Sequence, residues 1–522
     1  MTGQKIINKR TLIYLLFLIM LLLPTQFLML KGYQSLDGLI HQERIRQFHQ
    51  AIGLGQFPVR LAPSLMNEIG YPLFIVNYQL PYYWAEVFIL IKDDPKFAYK
   101  TVMSTSFILS GIFAFFLFRN VGSNIAALTG AIIFSYLPYR FGNLYMRGAF
   151  GESVSIMFIP LILLSFHKIA QGSKFAILLL AVSIFGFITS HTITFLLFAP
   201  FFALYIPSVL KAKKRTYFLI LLGIIYGFAL ASFQILPSVF EKKYMLLDQN
   251  LSGIYTNLFI NFYQLLRIPK AGINTGTYLQ LGIAATLILF VSLIVFIKNR
   301  NRQLLFFLTF AFISIFATQK LSLTFWENLP LLGYIAYPYR FLLVIILSSS
   351  FLAVYLVEKS KYKLLVAGVL ILMTLYTNRH YIKLAPGFEI KPPEKLTTLN
   401  ENDTIWSNAE TFKKTPLIET IPQTQISNLS AKPFEISFET KADIPAKVVI
   451  RKMYFPGWEL KINGQKRQID IENGLIGTRL LPGSQQVNLY FTETPLRTFA
   501  NMLSLAAGMV LIIIFIIYVV RV

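Results

Sequence analysis

The sequence contains no cysteine among its 522 residues. This absence excludes disulfide bonds, thiolate metal sites and a cysteine nucleophile. Histidine is also scarce, and the five histidines do not show the spacing of a metal site. The chain has no P-loop, dinucleotide-binding fingerprint or zinc motif, so nucleotide-driven chemistry is not expected. The energy for any reaction must therefore arrive in an activated substrate.

Charged residues are few, at 14% of the chain, whereas 55% of the residues are hydrophobic and the mean hydropathy is +0.59. A typical soluble protein carries about 25% charged residues. Many apolar runs approach the roughly 17–25 residues that cross a bilayer. These features predict a polytopic α-helical membrane protein. The first apolar run, 11–30, is not followed by a small-residue cleavage site, so we interpret it as an anchor rather than a removed signal peptide.

Acidic residues are half as numerous as basic ones, 24 against 48, which gives a net charge of +24. The basic residues cluster at one set of span ends, and Glu358 is the only acid in those short loops. This positive-inside pattern reports topology, so the excess charge does not indicate nucleic acid as a partner. It predicts about twelve spans, from 11–30 to 500–520. Both termini are expected to be cytoplasmic in a multi-pass bacterial plasma membrane protein.

The predicted spans leave five long outward segments, 31–97, 140–152, 238–277, 319–340 and 378–499, of which the first and the last define the domain organisation. Residues 1–377 are predicted to form a transmembrane domain whose first extracytoplasmic loop covers 31–97. Residues 378–499 are predicted to form an extracytoplasmic β-rich domain, and 500–522 the last span. Inside the first loop, the aromatic segment 70–91 is predicted to lie on the outer membrane surface as one or two helices.

Residues 430–495 alternate between apolar and polar at period two, which is typical of β-strands. Asn463 and Gly464 separate two of the alternating runs and predict a type I′ hairpin. We therefore expect a small antiparallel β-sandwich just before the last span.

Three polar residues after the first span share a helical face, because Asp37, His41 and Arg44 are spaced i, i+4 and i+7. A carboxylate at this place can act as a general base towards an acceptor hydroxyl, with His41 or Arg44 orienting it. The alternative is a surface helix that shows its charged face to water. A helix N-terminus would also favour the charged form of Asp37 and lower its basicity.

Further candidates lie near the outer ends of spans. Arg147 and Glu152 flank GAFG, and their separation also permits a mutual salt bridge. His191 can bind phosphate or be an ordinary interfacial histidine. Arg340, in YPYRF, can hold an anionic headgroup through paired N–H donors, or reach ordinary lipid phosphate. Arg60 joins Arg147 and Arg340 as a candidate for neutralising a phosphate.

The order of these motifs resembles one family of bacterial membrane proteins. The motifs are Asp37 with His41, GQFPVR (55–60), NYQLPYY (77–83), RGAFGE (147–152), SHT (190–192), YPYRF (337–341) and YFPGW…NG…LPG (454–483). This set resembles the YfhO-like proteins, which belong to the GT-C class of glycosyltransferases and use polyprenyl-phosphate sugars.

The resemblance implies a GT-C-like helical fold over residues 1–377, with juxtamembrane helices in the first outer loop. It implies that Asp37 is the catalytic base and that Arg147, Glu152, His191 and Arg340 occupy family positions. The implied activity is an inverting transfer of a sugar from undecaprenyl phosphate to an extracytoplasmic polymer such as lipoteichoic acid.

The expected partners are a polyprenyl-phosphate-linked sugar, an extracytoplasmic polymer acceptor and membrane lipids. A monophosphate donor does not demand a metal, although the outer acids leave a divalent cation open as a cofactor. Two other functions also stay open: a flippase or transporter of a lipid-linked sugar, and a non-catalytic membrane scaffold that presents the β-domain. The predicted spans carry almost no charge at mid-membrane, which disfavours a transport path.

Overall fold

The structure, a computed structural model, describes residues 9–30, 35–210, 212–267, 279–379, 396–397 and 399–520. The first half of the chain is helical: α1 (Lys9–Met29), α2 (Gly38–Gly53), α3 (Leu80–Ile89), α4 (Pro95–Arg119), α5 (Asn124–Tyr136), α6 (Pro138–Phe141), α7 (Phe150–Ile156), α8 (Phe158–Ala170), α9 (Phe175–Ser190), α10 (Thr192–Tyr205), α11 (Lys214–Leu230) and α12 (Ser232–Phe240).

The second half contains short helices, further long helices and all the named strands. The helices are α13 (Leu247–Leu251), α14 (Phe262–Leu266), α15 (Ile283–Asn299), α16 (Arg302–Ala317), α17 (Leu323–Asn328), α18 (Pro330–Ile335), α19 (Leu342–Lys359), α20 (Lys363–Asn378) and α21 (Pro495–Val520). The strands are β1 (Ile418–Ile421), β2 (Gln425–Lys432), β3 (Glu435–Ala442), β4 (Ala446–Met453), β5 (Trp458–Ile462), β6 (Gln465–Arg467), β7 (Asp470–Glu472), β8 (Leu475–Leu480) and β9 (Gly483–Phe491).

Within the described residues, six helical segments are long and apolar enough to cross a membrane: Thr11–Met29, Pro95–Arg119, Phe150–Ala170, Thr192–Leu210, Pro338–Lys359 and Pro495–Tyr518. Two more are bent pairs, α11 with α12 at 75° and Arg302–Ala317 with Lys320–Asn328 at 92°, and α5, α9, α15 and α20 are shorter apolar helices. The predicted spans all fall on these helices. The predicted fold class, a polytopic helical protein with β-sheets before a last apolar helix, is confirmed.

The segment between α1 and α4 folds against the helices. Helix α2 packs through Ile45, Phe48 and Ala51, which recur at helical spacing on its buried face. It ends at Gly53, two residues before Gly55, whose φ of +85° is accessible to glycine without strain. The segment therefore holds the residues at the start of α2 in a fixed position relative to the long helices.

The prediction for residues 70–91 is correct only in part. Helix α3 occupies its second half, and the exposed side chains of Leu90 and Ile91 follow the helix. The first half is not a surface helix, because Tyr71, Leu73 and Phe74 are fully buried in a non-helical segment. The aromatic composition that favours a membrane surface here supplies core packing instead.

Strands β1–β9 form an antiparallel sandwich. One sheet has the order β1-β4-β8-β7 and the other β2-β3-β9-β5-β6. Their inner faces meet in a core that includes Ile450 on β4, Leu460 on β5 and Val487 on β9. The predicted hairpin is confirmed, because Ile462 pairs with Gln465 across Asn463 and Gly464, which have φ values of +50° and +79°.

The sandwich starts earlier than residue 430, because β1 and β2 precede that position. Nearly all residues of β2 are exposed, so this strand lacks the alternation of buried and exposed positions by which a strand is predicted. The predicted start of the β-rich domain, at 378, adjoins residues 380–395, which lie outside the described residues.

The sandwich packs directly on the segment that follows α2. Leu61 and Ile75 belong to the hydrophobic core of the sandwich. The backbone N–H of Met453 donates to the carbonyl of Ile69 at 2.7 Å, and the Tyr71 hydroxyl donates to Asp403 at 2.8 Å. The segment between α1 and α4 is therefore packed between the long helices and the sandwich.

Candidate functional site

Asp37 is the residue immediately before α2, and its backbone is hydrogen-bonded to a distant part of the chain. Its N–H donates to the carbonyl of Arg147 at 2.7 Å, and the N–H of Leu36 donates to the carbonyl of Met146 at 2.9 Å. Residues Gly142–Arg147 form a π-helical turn that ends at Gly148, whose φ is +69°. These contacts bring the start of α2 to the turn that carries Arg147.

The carboxylate of Asp37 forms no hydrogen bond or ion pair with any residue that the structure describes, and it does not cap α2. Burial raises the pKa of Asp37, and the nearby guanidinium groups of Arg147 and Arg44 oppose that rise without cancelling it. Burial therefore opposes the loss of basicity expected at a helix N-terminus. Asp37 is an open acceptor with a raised proton affinity, which suits a general base.

His41 and Arg44 share the buried face of α2, as predicted, but neither side chain is hydrogen-bonded to the carboxylate of Asp37. The Nδ1 of His41 lies 3.1 Å from the Tyr82 hydroxyl, and the ring stacks on Tyr99. Burial and the nearby Arg44 guanidinium hold the pKa of His41 well below its usual range. The guanidinium of Arg44 donates to the carbonyl of Leu396. An orienting role for either side chain gains no support from these contacts and stays a prediction.

Glu152, on α7, is buried between two guanidinium groups. Its Oε2 lies 3.3 Å from Arg147 and 3.5 Å from Nε of Arg340. Its Oε1 accepts hydrogen bonds from the Tyr139 hydroxyl at 2.8 Å and from Asn143 Nδ2 at 2.5 Å. The salt bridge between Arg147 and Glu152 is therefore real, and Arg340 adds a second cation that the spacing of the sequence does not reveal.

The two arginines are also fixed by aromatic rings. The guanidinium of Arg340 lies 4.6 Å from the centroid of Tyr337, and that of Arg147 lies 5.3 Å from the centroid of Tyr339. Arg340 also donates to the carbonyl of Ile335. Stacking of this kind orients a guanidinium plane. The two planar cations are thus positioned before any ligand arrives.

His191 lies at the junction between α9 and α10. Its Nδ1 accepts the backbone N–H of Thr194 at 3.2 Å, so the proton of the neutral ring resides on Nε2. The ring is 5.7 Å from Tyr78, whose hydroxyl accepts the N–H of Gly151 at 3.2 Å. His191 therefore offers one N–H donor beside the residues of α7.

These residues form one cluster. The charges of Arg147, Arg44, Glu152 and Arg340 all act on Asp37, and His191 lies within electrostatic range of Glu152. The cluster contains one open carboxylate and one carboxylate held by two guanidinium groups. Among the described residues, no three His, Asp or Glu side chains gather closely enough to hold a metal ion. The arrangement can accept a proton and stabilise a neighbouring anion.

Arg60 is not brought into this cluster. Its fully buried guanidinium donates to Glu493 at 3.0 Å, to the carbonyl of Phe233 at 3.0 Å and to Asn501 at 3.0 Å. These partners lie on α12, on α21 and just before α21. All three guanidinium nitrogens are engaged, so Arg60 joins the segment after α2 to the last helix. The phosphate-binding role predicted for it gains no support from this geometry.

The sequence interpretation missed Tyr139 and Asn143, the two neutral side chains that hold Glu152. A signal was present, because the tetrapeptide PYRF occurs twice, at 138–141 and at 338–341. The rings of Tyr139 and Tyr339 lie 6.3 Å apart. Both copies of the tetrapeptide therefore contribute to the same cluster.

Comparison with known proteins gives one family match. Residues 76–384, more than half of the chain, match the family described as "6-pyruvoyl-tetrahydropterin synthase related domain; membrane protein". The matched range includes Arg147, Glu152, His191 and Arg340, whereas Asp37 precedes it.

Two individual proteins are also similar to parts of the chain. A protein of Lactococcus lactis subsp. cremoris (strain MG1363), titled "Uncharacterized protein", is 24% identical over 231 residues, which cover 42% of this chain and 36% of that protein. The crystal structure of the Archaeoglobus fulgidus oligosaccharyltransferase in the apo form matches with a TM-score of 0.45 and 15% identity, covering 72% of this chain and 56% of that one. The chain therefore spans well under two thirds of either protein.

Proposed function

The chain belongs to the 6-pyruvoyl-tetrahydropterin synthase related family of membrane proteins, and from that premise we propose that it is a lipid-dependent glycosyltransferase. The donor is a sugar linked to undecaprenyl or another polyprenyl phosphate. The acceptor is an extracytoplasmic cell-envelope polymer such as lipoteichoic acid. The reaction takes place at the outer face of the bacterial plasma membrane, and both termini are cytoplasmic.

One observation carries the proposal: an open carboxylate with a raised pKa lies in the same cluster as two prepositioned guanidinium groups. A glycosyl transfer from a lipid phosphate needs a group that accepts the proton of the attacking hydroxyl. It also needs cations for the departing phosphate. Asp37 supplies the first, and Arg147 and Arg340 supply the second.

In the proposed step, the acceptor hydroxyl oxygen forms a bond to the anomeric carbon while its proton passes to Asp37. The bond between the anomeric carbon and the phosphate oxygen breaks, and its electron pair stays on the phosphate. The donor phosphate is a diester with one negative charge, and the product is a monoester that can carry two. Attack from the face opposite the leaving group inverts the anomeric configuration.

The added negative charge on the phosphate explains the use of two arginines. In the free protein, Glu152 forms ion pairs with both guanidinium groups, so neither of them is a buried charge without a counter-ion. Two cations against one carboxylate leave a net positive charge for the donor phosphate. The Nε2–H of His191 is a third donor of the correct polarity. A dry site strengthens each of these contacts.

Two parts of the chain have separate roles in this proposal. Residues 1–377, with the first loop 31–97, form the catalytic transmembrane domain, and 378–499 form an extracytoplasmic domain that is anchored by the last span at 500–522. The packing of Leu61 and Ile75 into the sandwich core supports a fixed position of that domain beside the catalytic loop.

Purified full-length protein, incubated with a synthetic polyprenyl-phosphate sugar labelled in the sugar and with a cell-envelope polymer, tests the proposal. We expect label to move to the polymer and free polyprenyl phosphate to appear in equal amount. A flippase would move the intact donor across a vesicle membrane without forming this product, and a scaffold would do neither. Absence of transfer with such donors would overturn the proposal.

A further inference from the structure

A cleft of about 420 Å³ lies at the other end of α2, between the segment that follows this helix and the sandwich. One wall is Leu54–Pro58, and the other consists of the turn between β2 and β3 together with the end of β9. Helix α2 has 16 residues, so this cleft lies about 24 Å from Asp37 along the helix. It is therefore a site separate from the carboxylate cluster.

Aromatic rings dominate the apolar part of the cleft. Phe57, on one wall, is 76% exposed and is the most prominent ring of its segment, while Phe434 and Tyr490 line the opposite wall. The Tyr490 ring is held in place by its hydroxyl, which donates to Glu459 at 3.1 Å. Aromatic rings on both walls of a cleft offer flat apolar surfaces of the kind that pack on the C–H faces of sugars.

The polar groups of the cleft are arranged for hydroxyl groups. The Oε1 atom of Gln56 accepts the backbone N–H groups of Arg60 and Leu61 at 2.6 and 2.9 Å, which leaves its amide N–H donors without a described partner. Glu435, on the opposite wall, is largely exposed and offers acceptor oxygens. A donor and an acceptor on facing walls suit a ligand that is both, as a hydroxyl group is.

The charges that line the cleft cancel each other. Lys432 lies 3.8 Å from Glu435, and Arg60 lies 3.0 Å from Glu493. No cation is left in surplus among the lining residues that the structure describes. The charge balance therefore favours a neutral ligand over a polyanion.

The cleft also adjoins a predicted membrane span. Thr492 and Glu493 line it and lie two to three residues before α21, which begins at Pro495. The side chain of Leu54, at its rim, is 45% exposed. An apolar rim next to the end of a span is the place where a lipid headgroup meets water.

We propose that this cleft binds the neutral sugar headgroup of a membrane glycolipid. This assignment rests on the proposed function in one respect: the glycolipid is taken to carry or anchor the acceptor. At about 24 Å from Asp37, the bound sugar is an anchoring unit of the acceptor, and the reacting hydroxyl lies farther along the chain that the lipid carries.

Native mass spectrometry or thermophoresis of the detergent-solubilised full-length protein tests the proposal. The probes are digalactosyldiacylglycerol, phosphatidylglycerol and diacylglycerol. We expect preferential binding of digalactosyldiacylglycerol. The substitutions Phe57→Ala and Glu435→Gln should each weaken it by about fivefold to tenfold, while Leu481→Ala, an exposed side chain of the sandwich outside the cleft, should leave it unchanged.

Equal binding of all three lipids would show a site for acyl chains and overturn the proposal, as would preference for phosphatidylglycerol or full retention of affinity in both cleft variants. The Asp37→Asn protein should still bind the glycolipid. A protein that binds the glycolipid but never transfers sugar would contradict the proposed function alone. A protein that transfers sugar but shows no glycolipid preference would contradict the cleft assignment alone.

Discussion

Replacing Asp37 with Asn should lower the rate of sugar transfer by about 10²–10⁴-fold, the usual contribution of a general base. The amide keeps the shape of the side chain but cannot accept the proton of the attacking hydroxyl. Because the carboxylate of Asp37 makes no hydrogen bond or ion pair with the described residues, the change removes no observed side-chain contact. The measurement is the transfer rate at saturating donor and acceptor, and the affinity for the donor should change little.

The stability of the same variant separates a catalytic from a structural role. Burial raises the pKa of Asp37 in the folded protein. The protonated carboxyl is the form that the folded protein favours, and it is lost as the pH rises through the folded pKa. The ionised carboxylate therefore lowers the stability of the folded protein at neutral pH. Asparagine cannot ionise, so the melting temperature of Asp37→Asn at neutral pH should equal or exceed that of the unmodified protein.

Asp93→Asn is the matched control, because Asp93 is an exposed acid of the same predicted loop. It should transfer sugar at the unmodified rate. In the unmodified protein, transfer should also fall on acidification at a higher pH than an ordinary aspartate would give. Normal transfer by Asp37→Asn, or a large loss of its melting temperature, would remove Asp37 from the mechanism.

Replacing Arg340 with Gln should have the second large effect, on stability as well as on transfer. Glu152 is buried, and Arg340 is one of its two cations. Removing one partner of a buried ion pair typically costs about 3–5 kcal/mol, because the remaining charge loses its compensation. The donor phosphate also loses one of its two guanidinium groups. We expect a lower melting temperature and a raised KM for the donor.

The double variant Arg340→Gln with Glu152→Gln distinguishes these two consequences. It removes one positive and one negative charge, so the buried charge imbalance disappears and much of the melting temperature should return. Donor binding should stay weak, because the guanidinium group is still missing. Recovery of transfer together with stability would mean that Arg340 serves only as a structural partner of Glu152.

Hydropathy and local pattern were sufficient for the parts of the fold that depend on short-range physics. A run of apolar residues long enough to cross a bilayer forms a helix whatever the rest of the chain does, so the predicted spans fall on helices. Six to eight of those helices, among the described residues, are long and apolar enough to cross a membrane. The same holds for the hairpin at Asn463 and Gly464, where two residues with positive φ fix both the turn and the register.

The candidate site shows where such reasoning ends. The spacing of Asp37, His41 and Arg44 correctly predicts a shared face, but their partners come from remote segments, such as Tyr82 for His41 and Leu396 for Arg44. The second cation on Glu152 lies nearly two hundred residues away in the sequence. The sequence does not reveal the acceptors that engage Arg60 for the same reason, because they belong to distant segments of the chain.

The side of the membrane on which Asp37 lies is the most direct test of the account, and the lack of cysteine makes it accessible. The variants Asp37→Cys and Asp93→Cys each introduce the only thiol of the chain, as does Lys361→Cys in a predicted cytoplasmic loop. In intact cells, a membrane-impermeant maleimide should label the first two but not the third, which should react only after permeabilisation. Labelling at Lys361→Cys in intact cells, with the thiols at positions 37 and 93 reached only after permeabilisation, would place the carboxylate in the cytosol and contradict an extracytoplasmic transferase.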